Sequence, residues 1–464
     1  MNDNTSLKSA TDAGFGINGP SVVVTPSRTP VVTAIESHDA IGFVNINTTE
    51  SEYPTASFRY LTAISSSNNS AYVHTDSGPV LCVQSEATKK AMQAEYRALS
   101  KQIEYSDSLI ACDEISAASE PGDNRVNSDI AIPIYQDSRP IGVQAAAVLD
   151  SARTTDAECA DTQTVLVPST IPHDSAIHLE QAGYTLQSTS AVTNARVKKD
   201  AAERQAIKIV QSAGLAAIAR IETQIADMTV SDGQLLLQGE PATTRHLEQI
   251  AAAELAHRGV GSGDCVCVIT TESAVSRLSR NIGSGVLSST SIQSGVPVQI
   301  GVCPRGPNGY HGLVWRTIVV ESEGGWERRA HIAVEAALET AIETAEPGIS
   351  PTTVYNEALA ELAAFGFNPS ASEGSAKKSE DINIMIHGIG LSKRERPYID
   401  SEMTMDPGTV VSIALGVFNI EYGGVRLCDV VTISEDGVSV AGSRATSPDD
   451  MNRSLTPTTN SYSS

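Results

Sequence analysis

The stretch MIHGIGLSKRERPYI, Met385 to Ile399, brings one histidine, His387, into a Gly-x-Gly turn and follows it with Lys393, Arg394 and Arg396. Imidazole can serve as base, hydrogen-bond donor or metal ligand. Without an orienting partner a lone histidine is a weak catalytic signal, and the plainer reading keeps it with a turn whose glycines permit tight backbone geometry. Two thiols lie in other chemically suggestive stretches, Cys303 in VCPRGPNGYHG and Cys428 in GVRLCDVV. Cys303 is two residues from Gly301, so on one strand both point to the same face. Together with His387, the two cysteines offer a mononuclear zinc site or a Cys–His nucleophile. Cysteine is also a common small core residue, and packing is the reading favoured here. Cys265 and Cys267 alternate within an apolar run and read as core. Arg280, Arg316, Arg394 and Arg396 carry guanidinium forks suited to carboxylate or phosphate. A pocket for an anion or a peptide C-terminus, built on Arg280, His387 and Arg394, is the functional expectation they support.

The elements that must position these residues are legible as period-2 and period-3.6 patterns. AIGFVNINT and SAYVHTDSGPVLCVQ read as strands, the second a hairpin around Asp-Ser-Gly. ATKKAMQAEYRALSKQIEY has helical spacing, and TVLVPSTIPHDSAIHLEQAG reads as a buried strand, a loop and a short helix. A long helical stretch covers 197–228, and Thr243 or Thr244 is a plausible N-cap for the next helix. Two amphipathic helices follow, at 326–348 and 350–367, among strands at 297–305, 310–321, 409–419 and 424–437. Helix pairs alternating twice with strand pairs predict a sheet covered by helices and built as two similar halves. The expected organisation is a polar N-terminus (1–20), a modest α/β domain (21–190), a larger α/β domain (191–442) and a polar tail (443–464), with both ends too polar to fold alone.

Composition narrows the partners. The 464 residues include 55 acidic against 32 basic ones, a formal charge of −23, and only ten of the basic residues are lysine. That argues against nucleic acid, whose recognition needs a basic patch. An acidic, lysine-poor and aromatic-poor chain fits a halophilic, haloarchaeal-type cytoplasm, where salt screens self-repulsion. Seven cysteines do not make a disulfide framework. No apolar run approaches the roughly 18 residues of a membrane helix, and the N-terminus lacks a signal-peptide pattern. The expectation is a cytoplasmic protein with no membrane partner.

FRYLTAI (58–64), ARVKKDAAERQAIKIVQSAG, CPRGPNGYHGLVWRT (303–317), HGIGL (387–391), DPGTVV (406–411) and GVRLCDVVTISEDG (424–437) occur in an order that resembles the creatinase/aminopeptidase P group of pita-bread proteins. The resemblance implies a pita-bread larger domain with an internal two-fold repeat, preceded by a smaller creatinase-type α/β domain. It also implies a dimer, and in active members two divalent cations held by two aspartates, a histidine and two glutamates. Carried onto this chain, those five positions are Gly301, Leu313, His387, Ala414 and Cys428, and the two accessory histidines correspond to Arg280 and Arg394. A rival register that places GDCVCVITT at the first ligand strand also lacks both aspartates. Two dications about 3.5–4 Å apart repel by on the order of 20 kcal/mol at an effective dielectric of 20. Carboxylates cancel that repulsion, and Gly, Leu and Ala cannot.

The expectation is therefore a degenerate, inactive Xaa-Pro peptidase-like protein with no metal or other cofactor, binding a peptide, small anion or partner protein in the former cleft. It would be a homodimer, or a heterodimer with an active paralogue. Two alternatives stand beside it. One is an active Xaa-Pro dipeptidase or aminopeptidase, with manganese or cobalt if the positions are misaligned or a single zinc on Cys303, His387 and Cys428. The other is a metal-free C–N hydrolase resembling creatinase.

Overall fold

The computed structural model of the chain describes residues 22–48, 55–66, 68–113, 130–152, 163–261, 266–270, 289–322, 324–368, 381–400, 402–419 and 421–442, without the side chains of 104–113. A first mixed sheet contains β1 (Gly42–Asn47), β2 (Ser70–Thr75), β3 (Gly78–Val83), β4 (Ile134–Gln136), β5 (Thr164–Val167) and β6 (Thr185–Ser188), in the order β4-β3-β2-β1-β5-β6. Alternation sends Phe43, Tyr72 and Leu81 to one face and Val44, Val73 and Cys82 to the other. The first set packs with helices α1 (Thr29–Ser37), α2 (Ala56–Thr62) and α3 (Glu86–Asp113). The second packs with α4 (Ile141–Ala152) and α5 (His173–Gln181). The β2–β3 hairpin turns at Asp76 and Ser77, where the Asp-Ser-Gly signal placed it.

A short α6 (Ala191–Ala195) leads through VKKD into α7 (Ala201–Ala226). Asp200 opens that helix with a capping box: its side chain accepts from the Glu203 amide, and Glu203 accepts from the Asp200 amide. A small sheet, β7 (Thr229–Ser231), β8 (Gln234–Leu237) and β9 (Glu240–Pro241), then precedes α8 (Thr244–His257). Thr243 caps α8, one of the two threonines expected for that role.

The large sheet comprises β10 (Val266–Ile269), β11 (Val298–Val302), β12 (Val314–Ile318), β13 (Asp381–Gly388), β14 (Glu395–Tyr398), β15 (Val410–Asn419), β16 (Gly423–Ser434) and β17 (Gly437–Val440). Its order is β10-β11-β12-β16-β15-β13-β14, with β17 on β16. Two helix pairs cover one face. On that face α7 and α8 bury Val298, Ile300, Val302 and Val314, while α9 (Trp326–Thr344) and α10 (Pro351–Ala364) bury Ile386, Ile413, Leu415, Val425 and Leu427. This is the predicted pattern of two helix-covered halves. Among the described residues, no helix is long and apolar enough to cross a membrane.

The chain between the domains is fastened by buried charge. Glu395, on β14, takes an ion pair from Lys199 at 2.6 Å and a second from Arg196. All three side chains are nearly out of solvent. Burial opposes ionisation of Glu395, but the Lys199 and Arg196 charges hold its carboxyl below the usual range. The Lys199 amide also donates to the Gly408 carbonyl ahead of β15. Glu395→Ala would leave two buried cations without their anion, a loss of about 3–5 kcal/mol for breaking a buried pair. A urea unfolding midpoint unchanged by that substitution would show that the triad does not hold the junction.

Candidate functional site

The uncovered face of the large sheet gathers the positions singled out by sequence. Cross-strand pairing puts Cys267, Gly301, Trp315, Cys428, Ala414 and Met385 in one row across β10, β11, β12, β16, β15 and β13. Three of the five positions, Gly301, Ala414 and Cys428, are therefore in line. Leu313 lies two residues before Trp315, and His387 two residues after Met385, so both share that face.

What fills the face is apolar. Cys303, Leu313, Trp315, Ala414, Cys428, Ile389, Leu391 and Val430 form one buried cluster with Ala206, Ile207 and Tyr310. Trp315 decides its shape. A Cβ placed on Gly301 would lie 2.5–2.6 Å from three atoms of the indole, so the ring rests against the glycine backbone. The Arg426 guanidinium carbon stands 4.6 Å over the same ring, a cation–π contact. Arg426 donates to Asn383 Oδ1 at 3.1 Å. Trp315 and Arg426 had not been singled out in the sequence. The available signal was a large residue at the same strand parity as Leu313 on a run ending beside a glycine-bearing neighbour.

His387 is 2% exposed, and its Nδ1 lies 3.0 Å from the Gly388 carbonyl. His311, also unflagged by sequence, does the same to the next glycine: its Nδ1 is 3.1 Å from the Gly390 carbonyl, and its amide donates to that oxygen. Burial pushes both imidazoles down to about 4; the carbonyl contacts oppose the shift, and Arg394 adds to it at His387. Both rings are neutral Nδ1–H donors that brace the HGIGL turn.

Burial pushes the Cys428 thiol up to about 12, with Ser412 Oγ 3.2 Å from its sulfur. Among the described residues no group of three or more His, Cys, Asp or Glu is placed to hold a metal. Of the residues named for a zinc alternative, Cys303 and Cys428 share an apolar cluster, and the Nδ1 of His387 is turned to a backbone carbonyl. Among the described residues, Gly301, Leu313 and Ala414 offer no side-chain donor for a dinuclear centre, and Trp315 occupies the space above Gly301.

The arginines divide. Arg394 is exposed beside His387. Arg396 donates to Asn194 Oδ1 at 2.6 Å, which ties β14 to α6. Arg316 is no pocket residue: it is buried, donates to Asp429 Oδ1 at 2.6 Å and to the Cys428 carbonyl, and so knits β12 to β16. Arg280 and Cys265 lie outside the described residues.

Residues 201–435 match the sequence pattern of metallopeptidase family M24. The chain belongs to that family. Over 132 residues the chain is 30% identical to the Xaa-Pro dipeptidase of Pyrococcus furiosus, which is 28% of this chain and 35% of that relative. A stretch of 131 residues is 28% identical to the probable dipeptidase PepE of Mycobacterium bovis, over 28% and 32% of the two chains. These matches span well under two thirds of the relatives' length. In three dimensions the likeness is wider. The prolidase from Pyrococcus horikoshii superimposes with a TM-score of 0.65 at 16% identity, over 89% of this chain and 97% of that one. The N-terminal domain of the FACT complex subunit SPT16 from Cicer arietinum gives 0.63 at 12% identity, over 91% and 96%. The M24 domain thus has the pita-bread fold, with a smaller α/β domain before it.

The two turn histidines generate a pH dependence. Their folded pKa values lie below the unfolded value of about 6.5, so the unfolded chain binds more protons between about 4 and 6.5. Their contribution to stability is complete above about 6.5 and is lost as pH falls toward 4, a change on the order of a few kcal/mol. A His311→Gln/His387→Gln double variant should show a shallower loss of unfolding free energy from pH 6.5 to 4.5 than the parent. Parallel curves would mean that the rings titrate as they do in water.

Proposed function

We propose that this M24 member is a non-catalytic relative of the Xaa-Pro dipeptidases, which binds a peptide, a small anion or a partner protein in the former active-site cleft. The row Gly301–Trp315–Cys428–Ala414 carries the reading. Metal-assisted hydrolysis needs ions that polarise the scissile carbonyl and activate water, and the donors able to hold them are replaced by an indole and small apolar groups. Creatinase-like C–N cleavage without metal loses support for the same reason, because Ala414 and Cys428 offer no acid or base.

Of the residues expected to bind an anion, exposed Arg394 would meet one beside the turn, with His387 holding that turn. A neighbour of the same fold is a subunit of the FACT complex, so a partner protein is within the fold's reach. We further propose a homodimer, or a heterodimer with an active paralogue, in a salt-rich cytoplasm; the charge of −23 with ten lysines supports the salt. A second reading, an active Xaa-Pro dipeptidase, draws on the 30% identity over 132 residues to the Xaa-Pro dipeptidase of Pyrococcus furiosus.

Metal stoichiometry by mass spectrometry separates the two, on protein purified in high salt and challenged with Mn²⁺, Co²⁺ and Zn²⁺, followed by an assay on Xaa-Pro dipeptides. The expected result is well below one bound equivalent and no turnover, with His387→Ala changing no rate. Two equivalents of manganese with proline release would establish the peptidase instead.

A further inference from the structure

A cavity of about 390 Å³ opens between the two domains, apart from the filled row. Its walls come from residues 23–27, from α2 and α3 of the first domain, and from the start of α7 and the 307–310 loop of the second. Pockets of roughly 300–1,000 Å³ suit small ligands.

The polar groups on this cavity are arranged unusually. Arg59, on α2, is 8% exposed, and its Nη2 donates to the Pro307 carbonyl at 2.7 Å. Among the described residues it has no carboxylate within ion-pair distance. Burial lowers its basicity to about 10, against the pull of Glu95. Glu95, on α3, is therefore close enough to act on Arg59 but makes no ion pair with it; one of its oxygens accepts from the Ser65 amide at 2.6 Å. Asp200 also faces the cavity and uses one oxygen for the Glu203 amide. Glu203 is already engaged, by the Asp200 amide and by Tyr310 Oη at 2.7 Å. The wall thus holds a buried guanidinium and, separated from it, two carboxylates with an oxygen to spare.

Buried charges are ordinarily paired. Of the carboxylates, Glu95 is half-buried and Asp200 exposed, and Lys198 on the same wall is paired with Asp406 at 2.9 Å; an inorganic anion would answer Arg59 alone, and a simple cation the carboxylates alone. We infer that the cavity binds a small zwitterion of the amino-acid class, a free amino acid or a short peptide, with its carboxylate on Arg59 and its ammonium at Glu95 and Asp200. Such a ligand touches α2 and α3 on one side and α7 on the other, so its binding stiffens the domain junction. This site does not depend on whether the large sheet's open face binds or cleaves anything.

The test is a thermal-shift screen of the full chain against the common amino acids and a set of dipeptides, with calorimetry on the best member. At least one is expected to raise Tm. Its N-acetyl and C-amide forms each lose a charge-assisted contact and should bind about tenfold more weakly, or worse. Ala98→Trp, at an exposed wall position, fills the cavity without disturbing the core and should weaken binding at least as much; Arg59→Gln should do so too. Ile332→Ala, at an exposed position on α9 away from the cavity, should leave binding unchanged. The inference is overturned if no member raises Tm, if blocked and free forms bind equally, or if binding survives Ala98→Trp.

Discussion

A sheet packed on both faces must close every cross-strand row with side chains of matched size, because interiors tolerate few voids. In this protein the constraint is met in the row running from Cys267 to Met385 by one large ring among small residues. Trp315 is large because Gly301, Ala414 and Cys428 beside it are small. The rest of the uncovered face follows from that exchange: the cysteines are packing groups, Arg426 lies on the indole, and the surroundings are too apolar for either His387 or Cys428 to hold charge.

The turn that carries His387 is held from several sides at once. His387 and His311 tie down successive glycine carbonyls, and Glu395 draws the domain junction against β14 through Lys199 and Arg196. Residues that resemble a catalytic apparatus in sequence act together as a clamp. The polar cavity at the same junction lies just beyond that clamp, where the two domains meet across Arg59 and α7.

The fold was legible where patterns are local. The run VVSIALGVFN falls in the strand expected at 409–419, and α7 falls in the helical stretch expected at 197–228. Long-range partners were not legible. KRERP reads as a solvated charge run, yet Glu395 is buried because its cations lie 196 and 199 residues away. Arg316 looked like a candidate for anion binding because Asp429, its partner, is 113 residues distant. Trp315 passed as one strand residue among several, because its role exists only once six strands are aligned.

The contact between Trp315 and Gly301 also bears on how such a chain can change over generations. Any side chain arriving at 301 collides with the indole, and trimming the indole first opens a void that costs about 3–5 kcal/mol in a buried site. Neither single step is neutral. The packing works as a ratchet: positions 301 and 315 can change only together.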